Sequence, residues 1–159
     1  MKTLYFVRHA KANKMQNDTE RKLMPLGIER INKLGRHLNA THCKIDVLFS
    51  SSAIRAVQTA EIIAEHIHYP KAEIITTENL YLRGQEEYFN IIVAQDNAIV
   101  NNMMIVGHNP DITNMVHFFA PDFISYVQTG ACFCFDFKTE NWTTIFTAER
   151  ELRFYVRFQ

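Results

Sequence analysis

The sequence predicts an α/β fold: a largely parallel sheet with helices on both faces and antiparallel strands added at its C-terminal end. Three observations predict it. Short apolar runs at 3–7 (TLYFV), 46–49 (DVLF), 73–76 (EIIT) and 103–106 (MMIV) alternate with segments of helical period up to about residue 120. From about residue 130 the runs CFCFDF, WTTIF and LRFYVRF are aromatic and β-branched with short polar breaks, which suggests a strand meander. No repeat, low-complexity tract or linker divides the 159 residues, so one domain spanning 1–159 is expected.

Each element follows in chain order. TLYFV reads as a buried strand. Residues 13–24 are polar and without period, which suits a loop. From Pro25, a first-turn proline, Ile28, Ile31, Leu34 and Leu38 recur at helical spacing. DVLF is the second strand, and Ser50, Ser51 and Ser52 behind it offer helix caps. The helix over about 53–68 puts Ala56, Val57, Ala60, Ile63, Ala64 and Ile67 on one face, and Pro70 ends it. EIIT is a third short strand and 86–96 a helix. MMIV is the fourth strand, broken by Gly107. Asn109-Pro110 has the form of an N-cap and a first-turn proline, with Ile112, Met115, Val116 and Phe119 spaced helically behind it.

Seventeen basic and seventeen acidic side chains cancel, which argues against broad electrostatic capture of nucleic acid or an anionic membrane. No apolar run approaches the ~20 residues of a membrane helix. The start MKTLYFVRHA is too short and too soon charged for a signal peptide, so a cytoplasmic location is expected. A monomer is expected separately. Cys43, Cys132 and Cys134 read as buried, reduced thiols; the latter two would share one face of a strand and bridge poorly.

The charges are concentrated nonetheless. In open α/β sheets ligands bind outside the carboxyl ends of the strands. Arg8 and His9 follow the first strand directly, SSSAIR brings Arg55 behind the second, and His108 follows the fourth. Two guanidinium groups and two imidazoles on one rim make an anion site suited to a phosphoryl group, which arginine holds with its planar fork. A neutral imidazole can attack phosphorus, and a protonated one can bind a phosphoryl oxygen.

The stretches LYFVRHAKA, SSSAIRAVQTAEIIAE and MMIVGHNP, in that order, resemble the histidine phosphatase (phosphoglycerate mutase-like) superfamily. The chain's length and QTGACFCFDF resemble its small SixA-type phosphohistidine phosphatase branch. The resemblance implies a three-layer α/β/α sandwich and a phosphohistidine intermediate on His9, with Arg8, Arg55 and His108 completing the phosphate pocket. DTERKLMPLG resembles the family's Asp-x-x-Arg-x-Leu segment and implies a rim position for Arg21, which otherwise reads as a solvated loop arginine. Ala10 stands where many relatives have glycine. Residues 77–90 are too short for a sizeable cap, and none of Glu78, Glu86 and Glu87 matches the family's leaving-group acid, so no general acid is assigned.

An open site without a placed acid suits a good leaving group such as the imidazole of a phosphohistidine-bearing protein. The expected activity is therefore a metal-independent phosphatase without cofactor. A small phosphorylated molecule is the rival substrate, and a phosphate-binding regulator without turnover the rival function. His66 and His68 read as a helix C-terminal cap rather than a metal pair, and the aromatic cluster of Phe133, Phe135, Phe137, Trp142 and Phe146 as packing.

Overall fold

In the computed structural model, which describes residues 1–159, six strands form one sheet. They are β1 (Lys2–Arg8), β2 (Val47–Ser51), β3 (Ile75–Thr77), β4 (Asn102–Gly107), β5 (Cys132–Phe137) and β6 (Arg150–Val156), with helices α1 (Pro25–Ala40), α2 (Ile54–His66), α3 (Gln85–Val93) and α4 (Asp111–Phe119). The spatial order is β3-β2-β4-β1-β5-β6. β3, β2, β4 and β1 pair in parallel, and β5 pairs antiparallel with both β1 and β6.

The inner strands β2, β4, β1 and β5 are buried on both sides because both faces are covered there. Leu4, Phe6, Met103 and Ile105 point to the face where α3 and α4 bury Tyr88, Ile92, Ile112, Met115 and Val116. Tyr5, Val7, Met104 and Val106 point to the opposite face, against Ile31, Leu34 and Leu38 of α1 and Ala56, Ala60 and Ile63 of α2. The architecture is the expected α/β/α sandwich. Cys132 and Cys134 lie buried and unbridged on the α1/α2 side of β5.

Several local expectations are corrected. WTTIF is no strand: Trp142–Thr144 is a 3-10 turn with the Asn141 side chain accepting from Thr143 N. Trp142 is fully buried and its Nε1–H donates to the Val100 carbonyl at 2.8 Å, so its apolar character serves the core and the meander has two strands. EIIT shifts to Ile75–Thr77, because Lys71–Glu73 behind Pro70 forms a 3-10 turn first. The serines do not cap α2. β2 runs on through Ser51, Ala53 takes the N-cap position, and Ser51 Oγ accepts from Ala53 N. α4 begins at Asp111, so His108 stands three residues ahead of the helix; the Asn109 side chain still accepts from Thr113 N and Oγ1.

Ile28 is exposed rather than buried, since Gly27 beside it takes the contact. A Cβ on Gly27 would lie 2.2 Å from the Lys11 carbonyl oxygen, so the bare backbone lets α1 touch the segment leaving β1. His66 lies within 2.8 Å of Asn32 Oδ1. No helix is long and apolar enough to cross a membrane.

Candidate active site

Three neighbouring parallel strands, β2, β4 and β1, end on the same rim. β1 hands the chain to His9 and β4 to His108, while β2 stops at Ser51 just ahead of α2, whose second residue is Arg55. The connections cover one face between β1 and β3 (α1, α2) and the other between β3 and β4 (α3), so the chain reverses direction across this rim, where open sheets form a crevice. A cavity of about 620 Å³ opens there, and all five predicted residues, Arg8, His9, Arg21, Arg55 and His108, line it.

His9 is buried, and its Nδ1 sits 2.8 Å from the Ala10 carbonyl oxygen. A carbonyl only accepts, so Nδ1 carries the ring proton and Nε2 keeps its lone pair. Arg55 Nε–H points at that lone pair from 3.3 Å. The ring centroid of His108 lies 5.0 Å from that of His9, and His108 Nε2 bonds Ser51 Oγ at 2.7 Å while its buried Nδ1 has no partner. Arg8 donates from Nη1 to the Val127 carbonyl at 3.0 Å, leaving its buried Nε unpartnered.

Four further residues fix this arrangement, none of them assigned to the site from the sequence. Asp18 accepts from Arg55 Nη2 at 2.9 Å and from Arg21 Nη1 at 3.0 Å, and its backbone carbonyl accepts from Arg55 Nη1 at 2.7 Å. Tyr81 donates its hydroxyl to Asp18 Oδ2 and sets its ring edge-on to His108, centroids 5.4 Å apart. Thr59 Oγ1 accepts from Ala10 N and donates to the Arg55 carbonyl, tying the end of β1 to the first turn of α2. Ser51, read as a cap, holds His108. The advance signals were Asp18's place in DTERKL and the places of Ser51 and Thr59 in SSSAIRAVQTAEIIAE.

Six cationic side chains line the cavity against one carboxylate, Asp18. Burial, and then the Arg55 and Arg8 charges, hold His9 down at about 3 despite the opposing bond to Ala10. Burial, His9 and Arg55 lower His108 to about 3 as well. Both rings are therefore neutral at pH 7. The Tyr81 hydroxyl, with Arg21 and Arg55, pushes the Asp18 carboxyl well below its usual range and keeps it ionised. No group of three or more His, Cys, Asp or Glu side chains is placed to hold a metal ion.

Residues 4–81 match the model of the histidine phosphatase superfamily (branch 1). Among solved structures, a protein from Nakamurella multipartitia proposed to be the phosphohistidine phosphatase SixA superposes with a TM-score of 0.85 at 23% identity, covering 99% of this chain and 96% of its own. The protein histidine phosphatase SixA complexed with tungstate superposes at 0.82 and 16% identity, over 98% and 96%. A phosphoglycerate mutase from Bacillus anthracis superposes at 0.65 and 15% identity, over 91% and 95%. These likenesses show the shared phosphoglycerate mutase-like fold. No curated protein matches the sequence.

Proposed function

We infer that this chain is a histidine phosphatase that transfers a phosphoryl group to His9 and then to water. The observation that carries the reading is the unprotonated Nε2 of His9, aligned with Arg55 and beside His108 at the floor of a cationic cavity. The Nε2 lone pair attacks phosphorus as the bond to the leaving group breaks, and that bond's electrons depart with the leaving group. Arg8, Arg55 and His108 hold the equatorial oxygens, where positioning and charge carry most of the catalysis. Arg21 steadies the rim through Asp18. Phosphorylated at Nε2, the ring becomes cationic, and its Nδ1–H still donates to Ala10. Water then attacks phosphorus, the P–Nε2 bond breaks, and the neutral ring is recovered.

The preferred substrate is a phosphohistidine-bearing protein. Asp18, the one carboxylate lining the cavity, is held ionised by three donors and is no proton source. That favours a leaving group needing little help, such as a protonated imidazole, over an alkoxide. The likeness in fold to SixA supports the same choice. Residues 1–159 act as one domain, as a monomer in the cytoplasm, and without a metal.

The test is turnover of a phosphohistidine protein against a panel of small phosphoesters, with and without chelator, in the wild type and His9→Ala. The account expects preference for the phosphohistidine protein, indifference to chelator and loss of activity in His9→Ala. Strong preference for small esters overturns the substrate, chelator inhibition overturns the metal-free chemistry, and activity surviving His9→Ala overturns the nucleophile.

A further inference from the structure

The phosphoryl site uses Arg8, His9, Arg55 and His108, yet the cavity also takes in Lys11, Arg30 and Arg157. None of these three forms an ion pair within the protein. Arg157 gives only its Nε–H to the Thr129 carbonyl, at 3.3 Å. Arg30 is half-buried, and its Nε is shut off from solvent without any partner. Leaving a buried donor unpaired is costly, and so is crowding like charges in one cleft. Arg157 and Arg21 also act on Arg8, whose guanidinium is lowered first by burial and then by the neighbouring arginines.

The fold brings these cations to one cavity. The Gly27 contact with Lys11 brings α1 against the strand end, with Met24 N donating to the same Lys11 carbonyl at 2.9 Å. Arg30, three residues beyond Gly27, shares that face of the helix. β6 delivers Arg157 from the other side immediately past its last residue, Val156. Three elements thus bring cations without ion-pair partners to the cavity that holds the phosphoryl site, and one phosphoryl group fills little of about 620 Å³.

We propose that Lys11, Arg30 and Arg157 form a second anion subsite, so that the preferred ligand carries another phosphate or carboxylate close to its phosphoryl group. The proposal deepens the phosphatase reading and names its substrate class. On a protein substrate the second anion is an acidic side chain flanking the phosphorylated residue; on a small one it is a second phosphate.

The experiment measures binding, so it gives an answer even if the protein proves catalytically inert. Calorimetry compares inorganic phosphate with pyrophosphate, and a phosphopeptide flanked by aspartates with one flanked by serines. In the wild type, at least one doubly anionic probe binds about tenfold more tightly than its partner, the scale of one charge-assisted hydrogen bond. The double variant Arg30→Met, Arg157→Met brings that ratio close to one, and Arg30→Lys, which keeps the charge, retains most of it. Preference in the pyrophosphate arm alone identifies a small substrate, and in the peptide arm alone a protein; either supports the subsite. Equal binding within both pairs in the wild type, or a ratio that survives the double methionine variant, overturns it. A wild type that shows the binding preference but turns over no phosphorylated substrate would contradict the phosphatase reading and leave the subsite standing.

Discussion

At the scale of single residues, the site depends on holding two imidazoles neutral and one carboxylate charged. Burial is the leading cause for both rings, which are held at about 3, far below an ordinary histidine. In the anion-free protein, the NMR resonances of His9 and His108 are expected to stay at their neutral positions from about pH 8 to about pH 5. A midpoint near the ordinary histidine value would show that burial does not hold these rings neutral below about pH 6. Asp18 works through Arg55, engaging it by side chain and backbone across 37 residues. Replacing it with Asn weakens that grip on Arg55, so kcat/KM of Asp18→Asn is expected to drop about tenfold or more. An unchanged value would make the Asp18–Arg55 pair irrelevant to turnover. Arg8, His9, Arg55 and His108 were legible in the sequence because each sits beside a strand run that can be recognised locally. Asp18, Ser51, Thr59 and Tyr81 were not, because their roles lie in contacts between distant segments: 63 residues separate Tyr81 from Asp18.

At the scale of elements, glycine sets the fit of α1. Alanine ordinarily favours a helix interior over glycine, yet a Cβ at Gly27 would stand 2.2 Å from backbone, and one at Gly35 would run into the His66 ring. Gly27→Ala is therefore expected to destabilise the protein by about 1–3 kcal/mol in chemical denaturation, the usual cost of overpacking. Stabilisation instead would show that α1 has room to move. The helices and parallel strands were readable because their apolar spacing is local. WTTIF was misread because aromatic and β-branched residues mark a strand and a core-anchored turn alike. What separates them is the Trp142 Nε1 bond to Val100, 42 residues away. The same holds for Lys2, a fully buried lysine at the opposite end of β1, which three oxygen acceptors from Asn97, Val100 and Asn101 satisfy.

At the scale of the whole molecule, the order β3-β2-β4-β1 turns three separated motifs into one pocket. Neutral burial of two histidines there also links folding to pH. Unfolded rings protonate near pH 6.5 while the folded ones resist to about 3, so the unfolded chain binds more protons within that window. Their contribution to stability is complete above about pH 6.5 and is lost as the pH falls towards about 3. The thermal midpoint should fall progressively below about pH 6.5, and less steeply in His108→Asn; identical slopes would mean that His108 is not held neutral. The central claim is chemical: a phosphoryl group passes through His9. Rapid quenching at alkaline pH after mixing with substrate, followed by mass spectrometry of the intact chain and its peptides, tests it most directly. The account predicts one added phosphoryl mass, localised to His9, lost on acidification and absent from His9→Ala. Turnover with no such adduct, or with the label on another residue, would contradict it.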